Sequence, residues 1–399
     1  MSSEPRPFIP YGRQTITEAD IAAVVEVLRS PLLTQGPAVP AFEQAVAAKV
    51  GARHGVAVNS ATSALHIACL ALGLGPGDWL WTSPITFVAS ANCGRYCGAA
   101  VNFVDIDPAT ALMSVPALAA KLEQAERTGS LPKVLVPVHL TGSSCHMAAI
   151  GALAERYGFA VLEDASHAIG GNYQGEPVGN CRHSAITVFS FHPVKIITTG
   201  EGGLATTNDP VLAQRMAELR SHGIVRDPDR FERPAVGSWM YEQQQLGFNY
   251  RMTDLQAALG LSQLQRLDEI VVERNRKLAK YQQLLAEHSV ELLKVPNDVL
   301  SSVHLCVIRL LKATPEQHRL VFERLRAVGI GVQLHYSPVH LQPYYRRLGF
   351  AEGNYPEAES YSNNAISLPL FPGLTNEDQY YVATKLAEQL RHLALDLAV

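Results

Sequence analysis

The sequence predicts an α/β fold, with a large domain on a mainly parallel sheet followed by a smaller α+β C-terminal domain. Between residues 55 and 208, short apolar runs without alternation are separated by helical stretches, as expected for strands buried on both faces of a parallel sheet. A turn-rich patch at 291–296 then opens a second set of strands and helices. At about 150 residues per domain, 399 residues suit two to three domains.

Each predicted element depends on periodicity and on signals at its ends. Thr17 and Asp20 resemble a capping box that begins the first helix, and Ser30-Pro31 ends it. Seven strands are predicted, at 56–58, 79–82, 101–105, 134–138, 160–164, 186–190 and 204–206. Helices are predicted between several of them, at 61–72, 115–126 and 147–157.

Residues 255–285 predict one long helix that bridges the two domains, because the stretch contains no Pro and no Gly after Gly260. The later predicted elements are a strand at 303–311, a helix at 315–327, a strand at 331–335 and a final helix at 376–393. We therefore predict an N-terminal segment (1–30) that packs with the small domain, a large domain (31–290) and a small C-terminal domain (291–399).

Composition excludes several functional classes. The net charge is −4 and no run of Lys or Arg occurs, which argues against a nucleic-acid partner. The six cysteines lack zinc-type spacing, so we expect no metal site and buried thiols in a reducing compartment. The N-terminal residues lack the apolar run of a signal peptide, and polar residues interrupt the uncharged stretch 55–77. We expect a cytoplasmic protein without a membrane partner.

Polar residues follow three predicted strands, at the sheet edge where α/β proteins bind ligands. Ser60-Ala61-Thr62 begins a helix, where small residues either cradle a phosphate or only cap the helix. Asp164 ends a buried strand, where an acid is costly unless it is paired. It either meets a cationic cofactor nitrogen or serves as an acidic N-cap or in a structural salt bridge. Lys195 lies in an apolar, Gly-flanked segment. It is either a solvated surface lysine or a desolvated amine suited to a Schiff base.

Two other patterns carry less weight. Gly73–Gly77 mimics a dinucleotide-binding loop but follows a helix and precedes a strand, so we predict an ordinary turn. His139 and His146 flank a Gly/Ser-rich loop without an acidic or Cys partner at metal spacing, and we interpret them as ordinary polar histidines.

The candidate phosphate loop at Ser60-Ala61-Thr62, the strand-end Asp164 and the buried Lys195 occur in that order. They lie within long motifs that run through nearly the whole chain. These motifs are LTQGPAVPAFE, NSATSAL, TSPITFVASAN, EDASHAIG, SFHPVKIITTGEGG, GFNYRMTDLQAALG and HYSPVH. With them the chain resembles the pyridoxal-phosphate sugar aminotransferases of the DegT/DnrJ/EryC1/StrS family, which have the fold-type I architecture.

The resemblance implies a pyridoxal 5'-phosphate (PLP) site, with pyridoxamine phosphate (PMP) as its intermediate form. Lys195 is implied to be the Schiff-base lysine and the catalytic proton carrier, and Asp164 to pair with the ring nitrogen. The other implied cofactor contacts are Ala61, Thr62 and Ser190 at the phosphate, Phe87 on the ring face and His167 near the phenolic oxygen.

Asn249 is implied to reach the phosphate in a neighbouring subunit, so the resemblance predicts a homodimer with shared active sites. Arg251 and Arg226 are candidates for binding the glutamate carboxylate. His335, Tyr336 and His340 resemble positions near the sugar nucleotide, although packing within the small domain explains them equally well.

Within the family, the chain looks most like the transaminases of pseudaminic acid biosynthesis. The likeness implies transfer of an amino group from L-glutamate to C4 of a UDP-4-keto-6-deoxy-N-acetylhexosamine. One alternative is a family member acting on another 4-keto nucleotide sugar, such as a perosamine- or bacillosamine-type precursor. A sugar dehydratase is disfavoured, since related dehydratases carry His at the position of Lys195. A non-catalytic regulator is expected to have lost Lys195 or Asp164.

Overall fold

The computed structural model describes residues 7–393 and residue 395. Its helices are α1 Glu18–Arg29, α2 Ala38–Val50, α3 Ala61–Ala71, α4 Ala89–Tyr96, α5 Val115–Thr128, α6 Met147–Tyr157, α7 Pro210–Arg220, α8 Asp254–Leu264, α9 Leu267–Leu284, α10 Pro315–Ala327, α11 Pro343–Arg346, α12 Pro356–Ser362 and α13 Asn376–His392. Its strands are β1 His54–Val58, β2 Trp79–Thr82, β3 Ala100–Phe103, β4 Val134–Val136, β5 Ala160–Asp164, β6 Asn172–Tyr173, β7 Glu176–Pro177, β8 Ile186–Ser190, β9 Gly203–Thr207, β10 Ile224–Val225, β11 Glu242–Gln243, β12 Val290–Leu292, β13 Val299–Leu300, β14 Cys306–Leu310 and β15 Ala365–Leu368.

Seven strands form the main sheet in the order β1-β9-β8-β5-β4-β2-β3. The four pairings among β3, β2, β4, β5 and β8 are parallel, whereas β9 runs antiparallel to both β8 and β1. The strands β4, β8 and β9 are buried along their whole length, as expected for strands covered on both faces of a sheet. The mainly parallel α/β sheet predicted from the sequence is therefore confirmed.

The C-terminal part forms a separate, antiparallel sheet in the order β12-β14-β15. Its core joins residues of α10 and α13 to Tyr281 of α9 and to Ile9. Ile9 pairs with the chain at 329–331, whereas α1 packs against α8. Of the N-terminal segment, residues near position 9 thus contact the C-terminal part and α1 contacts the helices of the large sheet. The boundaries at residues 30 and 290 stay a prediction.

Two predicted elements are wrong. The single helix at 255–285 is two helices, because α8 ends at Leu264 and Arg266 leaves helical geometry. Arg266 and Gln263 both donate to the buried Asp20 of α1, so a tertiary contact overrides helix propensity at the break. The strand at 331–335 is an extended segment that makes only isolated bridges, since it meets Ser367 at one position.

The expected capping box, the expected turn and the expected state of the cysteines agree with the structure. The Thr17–Asp20 capping box is present, and 73–77 is a turn region. All six cysteines are buried and free. Within residues 7–393 and 395, no helix is long and apolar enough to cross a membrane, and no group of His, Cys, Asp and Glu is arranged to hold a metal ion.

Candidate active site

A cavity of about 1640 Å³, open mouth included, lies at the carboxyl edge of the parallel strands. The chain leaving β1, β2, β5 and β8 forms its floor, and the extended segment 333–337 forms one wall. This is the edge at which open α/β sheets bind ligands. Of the residues singled out from the sequence, the following line it: Ala61, Thr62, Phe87, Asp164, His167, Ser190, Lys195, His335 and Tyr336.

The N-terminus of α3 forms one end of the cavity. Ser60 caps the helix by accepting from the N–H of Ser63. The N–H groups of Ala61 and Thr62 belong to the first turn, where no helical acceptor exists, and they carry the positive end of the helix dipole. Gly203 lies so close that a Cβ there would collide with the backbone of Ser60 and Ala61. A phosphate fits this cradle of backbone donors.

Asp164 lies at the last position of β5 and is 5% exposed. Its Oδ2 accepts from the Ser90 hydroxyl at 2.6 Å and its Oδ1 accepts from the Ser166 N–H at 3.1 Å. It forms no ion pair with any residue that the structure describes. A buried carboxylate held only by neutral donors is well suited to a cationic ligand atom.

Lys195 follows β8 and faces the same cavity as Asp164. Burial lowers the pKa of its amine to about 8, although the charge of Asp164 acts in the opposite direction. No described residue accepts a hydrogen bond from its Nζ. The neutral amine that a Schiff base requires is therefore accessible near physiological pH.

Aromatic rings form the wall beside Lys195. The Tyr336 hydroxyl lies 3.3 Å from Nε2 of His167, whose Nδ1 has no partner among the described residues. Burial, together with the nearby Lys195, lowers the pKa of both His167 and His335, that of His335 to about 3. Both imidazoles are thus neutral at physiological pH. Phe87 is 59% exposed in the cavity and lies 6.3 Å from the Tyr336 ring.

Four residues predicted to contact the substrate or the partner lie outside this cavity, namely Asn249, Arg251, Arg226 and His340. Asn249 and Arg251 pair through their backbones with Ser221 and Val58, and Arg226 stacks over the Tyr241 ring at 5.5 Å.

His340 is fully buried and bonds Glu359 at 2.9 Å. Its ring packs against Phe103 and Tyr355. The structure therefore favours the packing explanation for His340 over contact with a sugar nucleotide.

Sequence reasoning missed the cavity residues Tyr11, His192, Glu201 and Gln342. It also missed Ser90, which is fully buried and donates to Asp164. A signal for Ser90 existed, because it follows β2 within a run that leads into α4 at the same sheet edge. Tyr11 and Gln342 come from distant parts of the chain, and no local pattern marks them.

Comparison with known proteins agrees with this geometry. SpsC of Bacillus subtilis (strain 168), a spore coat polysaccharide biosynthesis protein, is 39% identical over 378 residues, which cover 93% of this chain and 94% of that protein. Spr1654 of Streptococcus pneumoniae in its PMP form is 31% identical, with a TM-score of 0.88 over 96% of this chain and 100% of that chain. PseC of Helicobacter pylori, an aminotransferase involved in the biosynthesis of pseudoaminic acid, is 30% identical, with a TM-score of 0.88 over 96% and 100% of the two chains.

The mainly parallel sheet and the likeness to these proteins define a PLP-dependent enzyme of fold type I. The chain belongs to the DegT/DnrJ/EryC1/StrS aminotransferase family, whose model matches residues 14–387. It is a PLP-dependent sugar aminotransferase.

Proposed function

We propose that the enzyme transfers an amino group from L-glutamate to C4 of a UDP-4-keto-6-deoxy-N-acetylhexosamine, giving UDP-4-amino-4,6-dideoxy-N-acetyl-β-L-altrosamine. The observation that carries the chemistry is the meeting of Lys195, Asp164 and the α3 N-terminus in one cavity. The likeness to PseC supports the choice of sugar. We also propose a cytoplasmic location.

We assign the cofactor contacts from the geometry of the floor. The N–H groups of Ala61 and Thr62, with the Ser190 hydroxyl, bind the phosphate. Asp164 holds a proton on the ring nitrogen, and Ser90 keeps that carboxylate in place. PLP supplies an electron sink and a carbonyl carbon that accepts amines.

The remaining side chains act on the ring face and on the proton. Lys195 holds the cofactor and, once displaced, carries a proton between the cofactor C4′ and the substrate carbon, which sets the configuration at the new amine. Phe87 would cover the ring face, and His167, whose Nδ1 has no partner among the described residues, would lie near the phenolic oxygen. His335 and Tyr336 form the wall against which the sugar binds and exclude water from it.

We propose a homodimer because the cavity of one chain is short of positive charge. Glutamate and UDP carry several negative charges, yet Lys195 is the sole lysine or arginine among the described residues that line the cavity. Asn249 and Arg251 lie near a segment with exposed apolar side chains: Val236 (77% exposed), Trp239 (74%) and Leu246 (80%). An association that covers this segment brings Asn249 to the phosphate of the partner, with Arg251 or Arg226 at the glutamate carboxylate.

Two experiments test the proposal. Lys195→Ala is expected to lose the visible absorbance of the bound cofactor and to make no 2-oxoglutarate from glutamate, whereas normal turnover would contradict the assignment.

A panel of 4-keto UDP- and GDP-sugars, with product stereochemistry determined by NMR, tests the substrate. Preference for a GDP-sugar, or an equatorial amine where an axial one is expected, would favour another sugar of the same family.

A further inference from the structure

Glu163, the residue before Asp164, is a buried carboxylate that the proposed reaction does not use. Successive residues of a strand point to opposite faces of the sheet, so Glu163 faces away from the cavity. Its Oε2 lies 2.6 Å from Nε2 of His139, and its Oε1 accepts from the hydroxyls of Ser184 and Thr187. Three donors fix this carboxylate, which is 5% exposed.

His139 is fully buried, and both of its ring nitrogens are used. The N–H of Cys145 donates to Nδ1 at 3.1 Å, which requires a lone pair on that nitrogen. The network therefore defines the neutral tautomer, with its proton on Nε2 and aimed at Glu163. The bond orients Glu163 without cancelling its negative charge.

The backbone of the same histidine holds Asp164. The N–H of His139 donates to the Asp164 carbonyl at 3.0 Å, and the Asp164 N–H donates to the Pro137 carbonyl at 2.9 Å. Residues 137–139 thus extend the pairing of β4 and β5 beyond the end of β4 at Val136. His139 thus bonds two successive residues of β5: its ring bonds Glu163, and its backbone N–H donates to Asp164.

We propose that the His139–Glu163 pair is a positioning device that fixes the Asp164 carboxylate at the angle needed for the cofactor ring nitrogen. The inference depends on the role proposed for Asp164. Without the ring bond, residues 137–139 keep only backbone pairing at the sheet edge, and the carboxylate loses its fixed direction. Both members of the pair are positioning residues, since neither lines the cavity.

The chain contains a matched control. His340 and Glu359 form a second buried His–Glu pair, with Nε2 2.9 Å from Oε1, away from Asp164. His139→Ala and His340→Ala are both expected to lower the melting temperature of the cofactor-free protein. Only His139→Ala is expected to weaken PLP binding, by about tenfold or more, and to move the ¹⁵N signal of ring-labelled PLP towards neutral pyridine. His139→Gln, whose amide can donate to Glu163, is expected to restore most of the binding.

The outcomes separate this inference from the proposed function. If His139→Ala matches His340→Ala in PLP affinity and in ¹⁵N shift, the pair is merely structural and the inference is overturned. If Asp164→Asn also leaves the ¹⁵N shift unchanged, the role of Asp164 itself fails. Should His139→Ala not fold, Glu163→Met takes its place with the same expected shift, because it removes the acceptor of the His139 ring at nearly constant volume.

Discussion

The ionisable side chains of the cavity floor differ from those outside the cavity in how they are paired. In the cavity, Nζ of Lys195 and Nδ1 of His167 have no hydrogen-bond partner in the described chain. Outside the cavity, His340 bonds Glu359, and Lys277 bonds Glu273 and the Leu374 carbonyl. Because an unpaired buried polar group is costly, the floor bears a cost that a ligand relieves, whereas these side chains outside the cavity have partners within the chain. Substitutions should therefore damage chemistry in one region and stability in the other.

The largest expected contrast is between Lys195 in the cavity and Lys277 outside it. Lys195→Met should lower aminotransfer at least about 10³-fold, yet stabilise the cofactor-free protein at pH 7 by up to ~3 kcal/mol, since the folded state no longer buries an ammonium group. Lys277→Met should destabilise the protein, because the Leu374 carbonyl loses its donor and Glu273 is left with Arg276 as its partner. Denaturant unfolding of both variants measures the opposite signs.

The pH dependence of the Lys195→Met effect has a definite direction. Below about pH 8 the amine is protonated in the folded and the unfolded chain, and the folded chain bears the full cost of burial. Between about 8 and 10.5 the unfolded chain binds more protons, so wild-type stability rises with pH and the advantage of Lys195→Met shrinks. An advantage that stays constant from pH 7 to pH 10.5 would show that the lowered pKa is not its cause.

His340→Ala should cost about 3 kcal/mol of stability, because Glu359 is left without its imidazole partner. Its kcat should stay within about twofold of wild type, since His340 does not line the cavity. Steady-state kinetics at a temperature where the variant is fully folded make this measurement. A large fall in kcat with unchanged KM would contradict this prediction and show that His340 takes part in the reaction.

The difference between the regions also explains what could be predicted from the sequence. The floor residues follow strands in short motifs. They can therefore be predicted from local patterns, such as an N-cap at Ser60 or an acid at the end of β5. The wall segment 333–337 has no regular structure, and its position depends on pairing at Ser367 and Ile9, which are far away in sequence. The break at Arg266 was missed for the same reason, since its cause is Asp20 on another helix.

Ser90→Ala tests the floor with a smaller change. The variant removes the hydroxyl that donates to Asp164 at 2.6 Å and leaves the carboxylate one donor short. A hydrogen bond to a charged group contributes about 1.5–3 kcal/mol, so we expect PLP affinity or kcat to fall by roughly tenfold or more. Ser184→Ala, which removes a donor to Glu163 on the opposite face of β5, is the control and should have a smaller effect on PLP affinity.

The smallest expected effects come from two capping boxes, one before and one after the predicted boundary at residue 290. Thr17 caps α1, which packs on α8, and Thr314 caps α10, which packs on α13. Replacing either by Ala should cost about 1 kcal/mol of the free energy of unfolding.

The three tryptophans, Trp79, Trp81 and Trp239, all precede residue 290. Their fluorescence therefore reports unfolding of the chain before residue 290, whereas far-UV circular dichroism reports unfolding on both sides of it. If the predicted domains unfold separately, Thr314→Ala should lower the circular dichroism transition and leave the fluorescence transition unmoved. If instead both variants shift the two signals equally, the chain unfolds as one cooperative unit. The boundary at residue 290 then separates two structural parts that do not unfold independently.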